Sequence, residues 1–118
     1  VSLEESLYAL LGPLVEGRCT PDITDDIPVY PLIVYQGAGG VAVDFSEQKP
    51  ADNDNARVQV WVWCHSRMEA SALARQVRDV LLASPLKVKT LGAAVSDTND
   101  VLKIYGARTD FSIWYPRT

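Results

Sequence analysis

Histidine is nearly absent from this chain and cysteine almost as scarce: 118 residues contain one histidine, His65, and two cysteines, Cys19 and Cys64. A closed zinc site wants four ligands at paired spacing, so zinc is not expected. Two cysteines make no disulfide framework. Reduced, buried thiols are the simpler reading, with a single bridge as the alternative. A basic cluster is missing too. Eleven Lys and Arg against fifteen Asp and Glu leave a net charge of −4. The cations are scattered, which disfavours a nucleic-acid partner, since phosphate rewards a basic patch. No apolar run approaches the roughly 20 residues that span a bilayer. Glu4 and Glu5 stand where a signal peptide needs positive charge. The expectation is a soluble, non-secreted protein with no membrane partner. Internal repeats and low-complexity linkers are also lacking, so residues 1–118 read as one domain. With 47% hydrophobic residues, it can build a core without metal or disulfide staples.

What is present is concentrated in residues 56–82. Arg57-Val58-Gln59-Val60-Trp61-Val62-Trp63-Cys64-His65 alternates with period two. Val58, Val60, Val62 and Cys64 share one face of a strand; Gln59, Trp61, Trp63 and His65 share the other. Ser66, three residues before Glu69, has the spacing of a capping box. Leu73, Val77 and Leu81 follow at helical spacing, and Ala83-Ser84-Pro85 stops that helix. A first helix opens with Ser2 and Glu5 as a second capping box. Leu3, Leu7, Leu10, Leu11 and Leu14 form its apolar stripe, which Gly12-Pro13 ends or kinks.

Between these units, Glu16–Val29 is turn-rich, with a short extended piece near Arg18. Tyr30–Gln36 reads as a strand, Gly37–Gly40 as a turn and Val41–Phe45 as a returning strand. Ser46–Asn55 reads as a polar loop. After the second helix come a strand over Val88–Val95, a turn at Asp97–Asp100 and a strand over Val101–Tyr105. Gly106 marks a turn or bulge, and a last strand runs over Arg108–Tyr115. Short connections between strands favour antiparallel pairing. The fold class is therefore α+β, two helices packed on one face of a mostly antiparallel β-sheet. The expected core is Leu7, Leu10, Leu11, Leu14, Ile33, Val58, Val60, Val62, Leu73, Val77, Leu81, Phe111 and Ile113.

Three stretches carry a family likeness. Leu14-Val15-Glu16-Gly17-Arg18-Cys19-Thr20-Pro21-Asp22 is similar to the segment after the first helix in the small tail-completion proteins of long-tailed bacteriophages. Tyr30-Pro31-Leu32-Ile33-Val34-Tyr35-Gln36 resembles their proline-led first long strand. Arg57–Trp63, followed by Glu69-Ala70 and Leu73-Ala74, resembles their central strand and second helix. Cys19-Thr20 stands where a β-branched and an aromatic residue are expected. The resemblance implies a structural protein that closes a ring, commonly six-fold, at the head-proximal end of the tail tube. There it would terminate the tail and join it to the head. It further implies no cofactor, no catalytic residues, and three partners: other copies of itself, the tail tube protein and a head-tail connector. The expected setting is the cytoplasm of the bacterial host during assembly and then the virion tail.

The residues themselves nominate an interface. Tryptophan is costly to leave in water and is enriched at interface centres. If Phe111 and Ile113 join Val58, Val60 and Val62 under the helices, then Trp61, Trp63 and Trp114 lie on the opposite face of the sheet, with Gln59. That surface is expected to meet a neighbouring subunit or partner; a segment of the chain folding over it is the competing reading. Gln48, Lys49, Asp52 and Asp54 in the polar loop are the second interface candidates. Arg67, Arg75 and Arg78 on the second helix are candidates for facing a DNA-filled bore, although Glu69 and Asp79 offset them. A different class of function remains open, a small-molecule or peptide-binding module using the tryptophan face.

An enzyme ranks last. His65 lacks a positioned partner, and Cys64 points away from it by strand parity. Asp22, Asp25, Asp26, Asp52 and Asp54 lack the spacing of an EF-hand. Gln36–Gly40 lacks the Lys-Ser/Thr ending of a phosphate loop.

Overall fold

The structure, a computed structural model, describes residues 2–22, 28–40 and 53–116. Its elements are α1 (Leu3–Leu11), β1 (Cys19–Pro21), β2 (Leu32–Gly37), β3 (Asn53–Cys64), α2 (Arg67–Ala83), β4 (Lys87–Thr90), β5 (Val95–Asn99) and β6 (Ile104–Pro116). The sheet runs β1-β2-β3-β6-β4, with β5 also paired to β6; β1–β2 is parallel and every other pairing antiparallel. This is the expected α+β architecture.

Both helices start as their sequences dictate. The Ser2 hydroxyl accepts the Glu5 N–H at 3.2 Å while the Glu5 carboxylate reaches back to Ser2, a complete capping box. At α2 the Ser66 hydroxyl accepts the Glu69 N–H at 3.1 Å, and only this half of the expected box is formed among the described residues. Pro13 converts the end of α1 into a 3-10 turn over Gly12–Val15, and Glu16 and Gly17 at positive φ redirect the chain into β1.

The core is the layer between helices and sheet. Leu7, Leu11, Ala70, Val77 and Leu81 pack on Ile33, Val58, Val60, Val62, Phe111 and Ile113, all buried. Leu10 and Leu14, expected in the core, are half-buried at its margin. They sit on the flanks of the apolar stripe, where one helix layer cannot cover them fully.

Three boundaries differ from expectation. Asn53–Asn55, read as loop, are the start of β3, because β6 runs on to Pro116 and supplies pairing partners for them. Pairing overrides polar composition here. Second, the expected strand over Val88–Val95 breaks. Thr90 pairs with Phe111 and Val95 with Arg108, so Leu91–Ala94 face only Thr109 and Asp110 in a wide bulge. Third, that insertion moves the turn. Asp97–Asn99 lie in β5, and the reversal falls on Asp100–Lys103. The expected strand over Val101–Tyr105 consequently begins only at Ile104. The Val41–Phe45 strand and most of the Ser46–Asn55 loop lie outside the described residues.

Candidate functional site

Strand parity builds a second face opposite the helices. In register across β2, β3 and β6, Leu32 lies beside Trp63 and Gly106, Val34 beside Trp61 and Arg108, and Gln36 beside Gln59 and Asp110. Leu32 and Val34 are buried, and Trp61 and Trp63 half-buried. The two indoles stack in parallel, centroids 6.0 Å apart with planes within 2°. Position i and i+2 on one strand face bring the rings together; the flat stack exceeds what area burial alone contributes.

Gly106 explains how the pair fits. A Cβ at this position would lie 2.7 Å from two atoms of the Trp63 ring. Read from sequence as a turn or bulge, Gly106 is instead a paired residue of β6, third in the strand, against which the neighbouring strand's indole packs closely. The signal was present, a glycine inside an alternating run, but close approach of a ring cannot be told from a bulge by sequence alone.

Charge flanks the stack. The Arg108 guanidinium lies 5.4 Å from the Trp61 ring centroid, a cation–π contact. Asp110 draws two arginines: Arg57 Nη2 donates to Oδ2 at 2.7 Å, and Arg108 Nε stands 3.6 Å from Oδ1. The latter is an ion pair beyond hydrogen-bond length, and both atoms are buried without a hydrogen-bond partner. Sequence reasoning missed this Arg57–Asp110–Arg108 group, whose members are brought together only by the β3–β6 register.

The other nominated residues disperse. Trp114 shares the tryptophan face but lies six positions along β6 from Arg108, the partner of Trp61. That is about 20 Å at strand rise. The three tryptophans thus form a pair and an outlier, not one patch. Asp54 sits in β3 opposite Tyr115. Gln48, Lys49 and Asp52 lie outside the described residues. Arg67 turns back onto the sheet: it donates to the Gly106 carbonyl at 2.8 Å and the Asp97 carbonyl at 2.6 Å, with its guanidinium near the Tyr105 ring. It ties α2 to the β5–β6 hairpin. Arg75 and Arg78 are exposed on the outer side of α2.

The nucleophile candidates are held in their inert forms. Burial pushes both thiols up to about 11, with Glu69 adding to the effect at Cys64, and a neutral thiol is a poor nucleophile. The exposed His65 ring meets Tyr30 edge-on at 5.3 Å. Among the described residues, no group of three His, Cys, Asp or Glu could hold a metal ion, and no helix is long and apolar enough to cross a membrane.

Comparison with known proteins gives this geometry a context. The family model described as tail completion protein gp17 matches residues 5–116. No curated protein matches. Among solved structures, a chain from the virion of a native gene transfer agent particle superposes with a TM-score of 0.60 at 17% identity, covering 98% of this chain and 96% of that one. At that identity the likeness shows a shared fold.

Proposed function

This chain belongs to the tail completion protein gp17 family, a premise from which we propose that it closes a ring, six-fold in the complete tail, at the head-proximal end of the tail tube. There it halts tube growth and joins tail to head without catalysis. A phage tail structural protein is what family membership establishes; ring closure and joining are the finer reading. The observation that carries it is the family match over nearly the whole chain, residues 5–116.

The mechanism is geometric. A subunit in a closed ring exposes two rims, each of which can be matched to a different partner. Here the helical layer and the sheet face are opposite sides of one thin domain. The face bearing Trp61, Trp63, Trp114 and Gln59 is the one we assign to contact within the tail. Its stacked indoles and the Arg57–Asp110–Arg108 group combine apolar area with fixed polar groups, the composition of an interface centre and its rim. Asp54, nominated with that surface, pairs with Tyr115 and has the strand parity of Val58 and Val60, so it lies on the helix-facing side and off the tryptophan face. Gln48, Lys49 and Asp52 extend that surface on the sequence reading. Arg75 and Arg78 are the cations available to a DNA-filled bore. The setting is the virion tail, with assembly in the host cytoplasm.

Removing the chain from its phage genome tests the reading. Tails lacking it should be of irregular length and unattached to heads, and complementation should restore both. Normal-length tails joined to heads in its absence would overturn the proposal.

A further inference from the structure

The two ends of the β6 strand carry complementary features. At one end the β5–β6 reversal projects Val101 and Leu102 into solvent, 90% and 58% exposed. It is a formed turn: Asn99 Oδ1 accepts the Leu102 N–H at 3.0 Å, and Lys103 sits at positive φ. A preorganised apolar tip is costly in water and loses little freedom on docking. At the other end, Pro116 closes an apolar groove between α1 and the segment after α2, lined by Ala9, Leu10, Pro85 and Leu86 with Glu5 at its margin; its volume is about 480 Å³. That lies within the range of about 300–1,000 Å³ typical of sites that enclose apolar groups.

Charge matches across the two ends. Asp100 and Lys103 bracket Val101-Leu102 at the tip. Glu5 lines the groove, and Lys87 lines the adjoining depression, which shares Pro85, Leu86 and Pro116 with it. The acid–apolar–base order of the tip thus meets a base and an acid beside an apolar floor.

One chain cannot satisfy both. Ile104 to Pro116 is an extended strand of about 40 Å, so the tip cannot reach its own groove. Two distinct patches at opposite ends make a heterologous contact, the kind that closes rings. We infer that the Val101-Leu102 tip of one subunit docks in the Leu10–Leu86 groove of a second copy of this chain, and that this contact links neighbours around the ring. The inference rests on the ring reading above. Trp114 lines the same depression as Lys87 and so borders this contact, which leaves the stacked Trp61–Trp63 pair free for other tail components.

Cross-linking tests it. Leu102→Cys and Ala9→Cys are prepared separately on the full chain, one of them isotope-labelled. Cys19 and Cys64 are buried and stay silent. The two are mixed, both in concentrated solution and in tails assembled from the mixture, and treated with a short bis-maleimide. The mixed product should exceed either same-variant product about ten-fold, and pairing of either with the exposed Arg75→Cys should stay at background. Leu102→Asp should raise the concentration for half-association at least ten-fold, the loss of one buried aliphatic anchor. Chain present in tails with mixed product at background, or at random-pairing proportions, overturns this contact while the ring stands. Chain that enters no tails and forms no oligomer overturns both.

Discussion

Replacing Gly106 with alanine should be among the most damaging one-carbon changes available in this sheet. The added Cβ would stand 2.7, 2.7 and 3.0 Å from three atoms of the Trp63 ring. Carbon atoms rest at about 3.5–4.0 Å, so the ring must retreat by about 1 Å. Trp63 is stacked flat on Trp61 at 6.0 Å, and Trp61 in turn carries Arg108, so the displacement is resisted from behind. Overpacking of this kind costs about 1–3 kcal/mol, and a disturbed aromatic pair adds up to about 1 kcal/mol. Against this, alanine in a strand gains about 0.5–1 kcal/mol over glycine through the unfolded chain. The net is a loss of about 2 kcal/mol, or roughly 6–12 °C in midpoint for a domain of this size. Thermal and urea unfolding measure the loss, and near-UV circular dichroism reports the indole stack. A double-mutant cycle isolates the cause. In a Trp63→Leu background the same Gly106→Ala change should be neutral or slightly stabilising, because the obstructing ring is gone. A Gly106→Ala variant within 0.5 kcal/mol of the parent, or an equal penalty in both backgrounds, would refute the reasoning.

Other outcomes follow from the same geometry. Arg67→Met should cost about 2 kcal/mol by removing two charge-assisted bonds to the Gly106 and Asp97 carbonyls, and hydrogen exchange should quicken across Val95–Asn99 before the rest of the sheet. Ser66→Ala should cost about 1 kcal/mol through loss of the bond to the Glu69 N–H, read as a lower denaturation midpoint with an unchanged slope. The thiols give a pH test. Both are raised from 9.0 to about 11 in the folded chain, so between those values the unfolded chain has lost protons that the native chain keeps. Stability should therefore fall as pH rises from about 9 to 11, and Cys19→Ala with Cys64→Ala should flatten that slope. At pH 8 an aromatic disulfide reagent should react with both only on unfolding; fast stoichiometric labelling of native protein would contradict the burial.

Legibility in the sequence followed the range of the interactions. The core face of β3 and the α2 register were readable because each is set by local periodicity, and helix starts because Ser2 and Ser66 act within one turn. The opposing face of the sheet was readable as a parity argument, which placed Trp61, Trp63 and Trp114 on one side. Their separation was not, because it depends on the β3–β6 register, an uninterrupted pairing that runs on through Asn53–Asn55. The same holds for Arg57, Arg108 and Asp110, polar residues that read as solvated strand positions until the ladder aligns them. Arg67 is the sharpest case: first in a helix and amphipathic by position, it reads as a surface cation, yet two backbone carbonyls from separate strands take up its donors. Carbonyl acceptors have no sequence signature.

A long two-stranded ladder also bears on how strong a subunit contact must be. β3 and β6 pair from Cys64–Tyr105 to Asn53–Pro116, so the tip and groove that we assign to neighbouring subunits are fixed at the two ends of one hydrogen-bonded beam. A rigid spacer holds the angle between successive subunits nearly constant. When that angle closes the circle, the last contact forms between ends already tethered, at high effective concentration, and adds stability without further translational loss. Each contact can then be weak, and a lone pair of subunits short-lived, while the closed ring persists. Association should accordingly be steep in concentration, with single subunits and complete rings outweighing partial arcs by native mass spectrometry. Shifting the β5 edge that carries the tip, with the beam itself unchanged, should abolish closure before it abolishes pairing. Deleting Gly92 and Ala93, which removes the excess residues opposite Thr109 and Asp110, should reset the β5 edge while leaving β3–β6 intact. The expected outcome is open arcs of mixed length in place of one closed species. Undiminished rings from that variant would mean that closure is set elsewhere in the chain.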